Sequence, residues 1–167
     1  VINIALNLDE MTGPDFKVTE TPFGPSIHIN GTQARGGNRF YNPSCTSVLH
    51  EILELIAPDK IIVHAPQHMG LFDLLKTEHY LSITTIVVHD FYWACLQGFR
   101  VLPNGQKCDR EPSPANCRAC AYYPGLTRQI YDDSLTILNS CQKLVFPSQF
   151  IHDAYKDIFG CKLTQGV

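Results

Sequence analysis

The sequence lacks the features that would place a chain of this size in a membrane, an export pathway or a nucleic-acid complex. No apolar run approaches the roughly 18 residues that a bilayer-spanning helix requires. The first residues hold no basic segment followed by an apolar one, as a signal peptide would. Basic residues are not in excess, because 13 Lys and Arg face 16 Asp and Glu, for a net charge of -3. We therefore expect a cytoplasmic protein without a duplex nucleic-acid partner.

Charged residues are also scarce, at 17%, whereas 44% of the 167 residues are hydrophobic. This composition can supply one buried core and argues against disorder. We expect a single domain over residues 1–167. Because the chain begins at Val1 and ends at Val167 without a closing element, we also expect a fragment of a longer polypeptide.

Glycine and proline divide the chain into two regions. Residues 1–42 contain them too often for a long helix and predict an irregular strand and loop region, with short strands at 1–8 and 26–30. Over residues 43–160, helical and β-branched patterns alternate. The predicted order is a helix at 43–57, a strand at 60–65, a helix at 67–80, a strand at 83–88, a cysteine-rich loop at 95–124, a helix at 126–140, a strand at 143–146 and a helix at 149–159.

This alternation predicts an α/β fold, a Rossmann-like parallel sheet with helices on both faces and the cysteine-rich loop as an insertion. In such a sheet, right-handed crossovers bring the carboxyl ends of all strands to one edge, and ligands bind outside that edge. Polar side chains follow the three predicted strands: His64, the pair His89 and Asp90, and Ser148. Since imidazole can hydrogen-bond hydroxyl or phosphate groups near neutral pH, the sequence predicts a ligand site there.

The seven cysteines form one cluster and a scattered remainder. The cluster consists of Cys95, Cys108, Cys117 and Cys120. It ends in a C-x-x-C pair, whose thiolates can share one tetrahedral ion, and Asn104-Gly105 predicts a hairpin that turns the loop back. Structural zinc is the favoured interpretation, while an iron–sulfur cluster, disulfides and reduced thiols without a ligand stay open. The other three are interpreted as small buried apolar residues: Cys45, Cys141 and Cys161.

The segment at residues 35–39 places a flexible glycine pair between two guanidinium groups. Such a segment can receive a phosphate, although the same composition is common in mobile surface loops. We keep three of its residues as substrate-binding candidates: Arg35, Gly36 and Gly37.

The aromatic run Phe91–Trp93 directly follows the predicted sheet edge. Trp93 can form a wall of a sugar or lipid site, because carbohydrate rings pack on aromatic faces. Equally, it can anchor the cysteine-rich loop in the core.

Three segments together resemble the amino-terminal half of a family-4-type glycosyltransferase, in the glycosyltransferase group 1 superfamily. They read APDKIIVHAPQHMGLFDLL at 57–75, TTIVVHDFYWACLQGF at 84–99 and KLVFPSQFIHDAYKDIFG at 143–160. The resemblance covers about residues 42–160, and HDFYWAC with the cysteines after it is its most specific part. Ile62 stands where the family has the first histidine of its H-v-H motif, and His64 matches the second.

The resemblance implies a GT-B enzyme, in which two Rossmann-like domains face each other across a cleft. This chain corresponds to the domain that receives a glycan or lipid-linked acceptor. A carboxyl-terminal donor-binding domain of the same polypeptide then binds the nucleotide-sugar. Such enzymes retain anomeric configuration, usually need no catalytic metal and, in bacteria, build surface polysaccharide. A peripheral position at the inner membrane fits this role.

The resemblance also implies roles for the edge residues. His89 matches a family histidine near the donor sugar, which it contacts or whose charge it stabilises as the glycosyl bond breaks. Asp90 either orients His89 or caps its loop, while His64, Trp93 and Arg35 shape the acceptor pocket. The alternative function is a non-catalytic Rossmann-like binding module whose cysteine loop is held by a metal.

Overall fold

The computed structural model describes residues 2–6, 16–30, 38, 40–64, 67–95, 97–109, 112–118 and 126–165. Backbone packing divides the chain into two units: Val1–Asp59 with Pro66–Thr77, and Lys60–Ala65 with Glu78–Val167. The first unit is built on a mixed sheet and the second on a parallel sheet.

The sheet of the first unit has three strands: β1 (Asn3–Leu6), β2 (Phe16–Thr21) and β3 (Gly24–Ile29). Their order is β1-β3-β2, with β1 parallel and β2 antiparallel to β3. The strand β1 lies within the strand expected at 1–8, and β3 overlaps the strand expected at 26–30 but begins two residues earlier. The strand β2 was not predicted, because its sequence FKVTET is mostly polar and its one valine, Val18, is 53% exposed. The irregular region expected over residues 1–42 is thus partly an ordered sheet.

The first unit also contains the helices α1 (Pro43–Ile56) and α2 (Leu71–Leu75). The predicted start signal of α1 is confirmed, because the Asn42 side chain accepts a hydrogen bond from the backbone N–H of Cys45 at 3.3 Å. Pro43 occupies the first turn, where a missing N–H costs nothing. The helix stops at Ala57, which is left-handed with φ 41 and precedes Pro58.

The helix predicted over residues 67–80 is wrong as one element, since the structure has α2 and, after it, α3 (Glu78–Ser82). Two residues before α2 are left-handed, His68 with φ 63 and Gly70 with φ 65, so that helix cannot start earlier. After α2, the backbone N–H of Thr77 donates to the carbonyl of Leu74 at 3.1 Å, which closes a turn.

The sheet of the second unit confirms the predicted parallel α/β architecture. Its strands are β4 (Ile61–Val63), β5 (Thr84–Val87) and β6 (Lys143–Val145), in the order β4-β5-β6. Both neighbouring pairs are parallel, and β5 is buried along most of its length. Each strand is shorter than predicted but lies inside the apolar run that predicted it.

Two long helices of the second unit match their predictions closely. These are α5 (Thr127–Ser140) and α6 (Gln149–Phe159), and a 3₁₀ turn (Gly160–Lys162) follows α6. The Ser148 side chain caps α6 by accepting from the N–H of Ile151 at 3.3 Å, and Gly160, with φ 58, ends it. Among the helices in the described part of the chain, none is both long and apolar enough to cross a membrane.

The region expected to be a loop over residues 95–124 contains a hairpin and the short helix α4 (Pro114–Cys117). The hairpin signal is confirmed, because the N–H of Gly105 donates to Leu102 O and the N–H of Leu102 donates to Gln106 O, both at 2.8 Å. Gly105 has φ 82, the left-handed conformation that this three-residue turn needs. The arm of this hairpin brings Cys108 back to Arg100, with N–H to carbonyl 2.7 Å.

Candidate functional site

The parallel pairing of β4 and β5 brings two histidines to the same edge of the second sheet. Val63, the last residue of β4, pairs with Ile86 of β5, and His64 follows Val63 directly. His89 lies just beyond the end of β5. Since parallel strands end on the same side, both imidazoles leave the sheet at its carboxyl edge, where the sequence predicted a site.

The two imidazoles are in direct contact. Nδ1 of His64 lies 2.9 Å from Nε2 of His89, a hydrogen-bond distance. The ring centroids are 5.2 Å apart and the ring planes differ by 22°. Both side chains are exposed, so the pair is open to a ligand.

This shared hydrogen bond fixes what the pair offers outward when both rings are neutral. One of the two contacting nitrogens carries the hydrogen and the other accepts it. If His64 donates through Nδ1, its Nε2 is a lone-pair acceptor and Nδ1 of His89 carries a hydrogen. If His89 donates through Nε2, these outer roles are exchanged. In either case the pair presents one donor and one acceptor, and a hydroxyl group can hydrogen-bond to either.

Asp90 caps the turn after β5 rather than orienting His89. Its Oδ1 accepts a hydrogen bond from the backbone N–H of Tyr92 at 2.8 Å, an Asx-type turn. Its carbonyl accepts a hydrogen bond from the hydroxyl of Tyr155 at 2.8 Å. Of the two roles expected for Asp90, the structure supports capping, and the side chain bonded to His89 is that of His64.

Tyr155 holds the turn after β5, and the sequence did not single it out. Its ring is fully buried on α6 and stacks near Phe91, with centroids 6.1 Å apart. Burial, together with the nearby negative charge of Asp90, raises the pKa of the Tyr155 hydroxyl well above its usual range. Helical periodicity predicts that residue 155 faces inward, but it carries no information about a partner 65 positions away.

Trp93 lies in the core of the second unit. The side chain is 2% exposed and meets the ring of Tyr92 edge-on at 5.4 Å. It borders a void of about 10 Å³, too small for a ligand, which Cys95 also lines. This position favours the structural interpretation, in which Trp93 anchors the segment that carries the first cysteine of the cluster.

Ser148 lies at the same carboxyl edge, three residues after β6, and is exposed. Its hydroxyl oxygen already serves as the cap of α6. The other substrate-binding candidates, Arg35, Gly36 and Gly37, lie outside the described residues.

No family model, curated protein or solved structure matches this chain. The chemistry that the carboxyl edge of the second sheet can support is therefore inferred from the side chains that lie there. These are two exposed imidazoles joined by one hydrogen bond: His64 follows β4, and His89 precedes a turn that Asp90 and Tyr155 hold in place. Rigid backbone beneath exposed polar side chains is the arrangement that binding sites in α/β sheets use.

The cysteine cluster is only partly within the described residues. Cys95, Cys108 and Cys117 are half-buried, and Cys120 lies outside the described part. Within that part, no three His, Cys, Asp or Glu side chains come together as a metal site. Cys108 is instead held by Arg100, whose Nε and Nη2 donate to its carbonyl at 2.9 and 2.5 Å. The zinc interpretation stays a prediction.

The scattered cysteines were expected to be buried, and two of them are. Cys45 is fully buried and Cys141 is 1% exposed, and burial raises the pKa of each thiol to about 11. The expectation is wrong for Cys161, which is exposed in the 3₁₀ turn after α6. It lines an open groove beside α6 rather than the core.

Proposed function

We propose that this chain is the acceptor-side domain of a retaining glycosyltransferase of the GT-B type. In this function a sugar passes from a nucleotide-sugar to a hydroxyl of a glycan or lipid-linked acceptor. The observation that carries the proposal is the 2.9 Å contact between His64 and His89 at the carboxyl edge of a parallel sheet. The resemblance of the surrounding segments to family-4-type enzymes gives the reaction class.

The outward atoms of the pair suit an acceptor hydroxyl. A sugar hydroxyl donates one hydrogen bond and accepts others, and the pair supplies one acceptor and one donor. A carboxylate pair would offer only acceptors, and two guanidinium groups only donors. The histidine pair therefore orients the hydroxyl oxygen, which is a large part of what catalysis by positioning requires.

In the transfer step, the acceptor oxygen bonds to the anomeric carbon of the donor, and the bond from that carbon to the diphosphate breaks. The hydroxyl proton must leave as the new bond forms. The outer lone pair of the histidine pair can take it, and a shift along the His64–His89 hydrogen bond lets the opposite outer nitrogen release a proton. In the tautomer in which His89 donates to His64, Nδ1 of His89 takes the proton and the contact with His64 fixes that tautomer.

In this proposal a second domain of the polypeptide binds the sugar donor. The nucleotide-sugar is held mainly there, and dipoles facing the departing diphosphate stabilise its charge. A lipid-linked acceptor places the protein at the inner membrane peripherally, with a cytoplasmic donor. None of these partners changes the role of the histidine pair.

The test uses the full polypeptide that contains this chain. Nucleoside diphosphate release is measured with UDP- and GDP-hexoses and a panel of neutral glycoside acceptors. His89→Ala is expected to lower acceptor-dependent release by at least about 100-fold, the usual size of a lost acid–base or charge-stabilising group. His50→Ala, an exposed imidazole on α1, is the matched control and keeps full activity.

A double-mutant cycle tests the shared proton. If His64 acts through His89, the change His64→Ala lowers turnover strongly alone but adds little in the His89→Ala background. Fully additive losses contradict the relay. If His89→Ala leaves turnover unchanged, the transferase assignment fails. Glycan binding that needs His89 in a protein without turnover favours the non-catalytic module instead.

A further inference from the structure

A groove of about 920 Å³ opens on the second unit, and Tyr131 separates it from the small void at Trp93. One wall is the hairpin of residues 99–107, and the other is a face of α6. The helical wall includes Phe150, Asp153 and Asp157, which lie about one turn apart on a single helix face. The volume is within the range of about 300–1,000 Å³ typical of ligand sites.

Two phenylalanines on opposite walls present their rings to solvent. Phe99 of the hairpin is 70% exposed and Phe150 of α6 is 68% exposed. Large apolar rings at this exposure add little to folding, because most of their surface stays in water. Flat exposed rings do suit a ligand with an apolar face.

The charges of the groove decide against a strongly anionic ligand. Three cations and three carboxylates line it, so that its formal charge is balanced. They are Arg100, Lys107 and Lys162, with Asp109, Asp153 and Asp157. The cations are engaged, since Arg100 donates to Cys108 O, Lys107 is 3.2 Å from Asp109, and Lys162 lies over the Tyr131 ring. A nucleoside diphosphate is strongly anionic, so a groove that binds it needs more cations than carboxylates.

The acceptor atoms of the groove point to a ligand rich in hydroxyl groups. Within the described residues, no hydrogen-bond or ion-pair partner is found for the carboxylate of Asp157. A hydrocarbon chain gains nothing from a carboxylate beside it. A sugar ring gains from both parts of the groove, because its C–H face packs on phenyl rings and its hydroxyls donate to carboxylates.

Phe91 links the groove to the segment that carries His89, and neither His64 nor His89 lines the groove itself. Phe91 lines the groove and lies two residues after His89. The ring of Phe91 also stacks near Tyr155, whose hydroxyl holds the turn of Asp90. The same buried contacts thus fix one end of the groove and the turn that carries His89.

We propose that this groove binds the non-reacting sugar units of a neutral oligosaccharide acceptor, while the hydroxyl that reacts lies at the histidine pair. The proposal rests on the proposed function and extends it, because it assigns the acceptor as a chain of uncharged sugars rather than a single sugar or a free lipid. Phe99 and Phe150 supply the stacking faces, and Asp157 supplies a hydrogen-bond acceptor.

The experiment measures binding of an array of neutral di- to hexasaccharides to the full polypeptide, without a nucleotide-sugar. Phe99→Ala and Phe150→Ala are each expected to lower the affinity for the best-bound saccharide by about tenfold, and Asp157→Asn is expected to lower it by a few-fold. Phe23→Ala is the matched control, because Phe23 is 84% exposed in the first unit and outside the groove. The Phe23→Ala variant should bind the saccharide with the same affinity as the unchanged protein.

Binding without donor separates the two proposals. Saccharide binding that depends on Phe99 and Phe150 in a protein without transferase activity supports the groove and sinks the enzyme assignment. If no neutral saccharide binds, the groove proposal is overturned. It is also overturned if binding survives both phenylalanine substitutions, whatever the transfer assay shows.

Discussion

Replacing Tyr155 with phenylalanine removes one oxygen atom and nothing else from the scaffold under the candidate site. That oxygen donates to the carbonyl of Asp90 at 2.8 Å. The ring keeps its neighbours Phe91 and Phe146, whose centroids lie 6.1 and 5.6 Å away. The change therefore isolates the hydrogen bond from the packing.

The expected cost follows from burial. Tyr155 is fully buried, and a lost hydrogen bond that leaves a buried partner unsatisfied costs about 1–3 kcal/mol. Asp90 is half-buried, so water can partly replace the phenol at its carbonyl. We expect a loss of about 2 kcal/mol in the free energy of unfolding, measured by urea denaturation. Tyr131→Phe is the matched control, because no hydrogen-bond partner is found for its hydroxyl within the described residues.

The pH dependence gives a second signature of the same residue. The folded state holds the pKa of Tyr155 well above its usual value of 10, because burial and the charge of Asp90 disfavour the phenolate. Above pH 10 the tyrosine of the unfolded chain loses its proton while that of the folded chain keeps it, so the free energy of unfolding falls as pH rises. Below it the contribution is constant. Tyr155→Phe should therefore flatten the decline in stability above pH 10.

Two results would refute this reasoning. Equal effects of Tyr155→Phe and Tyr131→Phe would mean that the hydrogen bond to Asp90 contributes nothing specific. An unchanged slope of stability above pH 10 would mean that the buried phenol does not set it. If the stability loss appears without any loss of acceptor-dependent turnover, Tyr155 stabilises the fold but does not position His89.

The remaining predictions concern the close approach at Gly70 and the thiols. Gly70→Ala should lower the free energy of unfolding by about 3 kcal/mol in urea titrations, because its Cβ meets the backbone oxygen of Asn42 and the hydroxyl oxygen of Thr46 and its φ is 65. In the folded protein at pH 8, a thiol reagent should modify Cys161 but spare Cys45 and Cys141, whose pKa burial raises to about 11; full labelling in guanidinium is the control. Elemental analysis should find zinc, and Cys117→Ser should release it; a metal-free protein contradicts the cluster interpretation.

The sheet edge was predictable because its signals are local. Three apolar runs between helical segments predict parallel strands, and the polar residue after each run then falls at the carboxyl edge. His64 and His89 needed only this rule to be placed together, and the structure joins them. The caps of α1 and α6 were equally local, since Asn42 and Ser148 act on residues within the first turn.

The missed features depend on partners far apart in the chain. The tie from Tyr155 to Asp90 joins two elements that no periodicity connects. The split of the helix predicted at 67–80 depends on Gly70 packing tightly against α1, where its carbonyl accepts from Thr46 at 2.8 Å. The groove between Phe99 and Phe150 needs two walls that meet only after folding. The local hydrophobic pattern predicts which residues are buried, but it does not predict which distant residues contact each other.

The exposure of the histidine pair argues for a ligand role over a structural one. A hydrogen bond between two exposed side chains adds little to stability, because water competes for both partners. The elements beneath it are buried, and they fix the turn through Asp90 and Tyr155 regardless of what the imidazoles do. The pair is thus not needed for the fold that places it. An outward donor and acceptor that the scaffold does not need are what the proposed function requires at an acceptor hydroxyl, and the groove that Phe91 lines is where we propose that the rest of the acceptor binds.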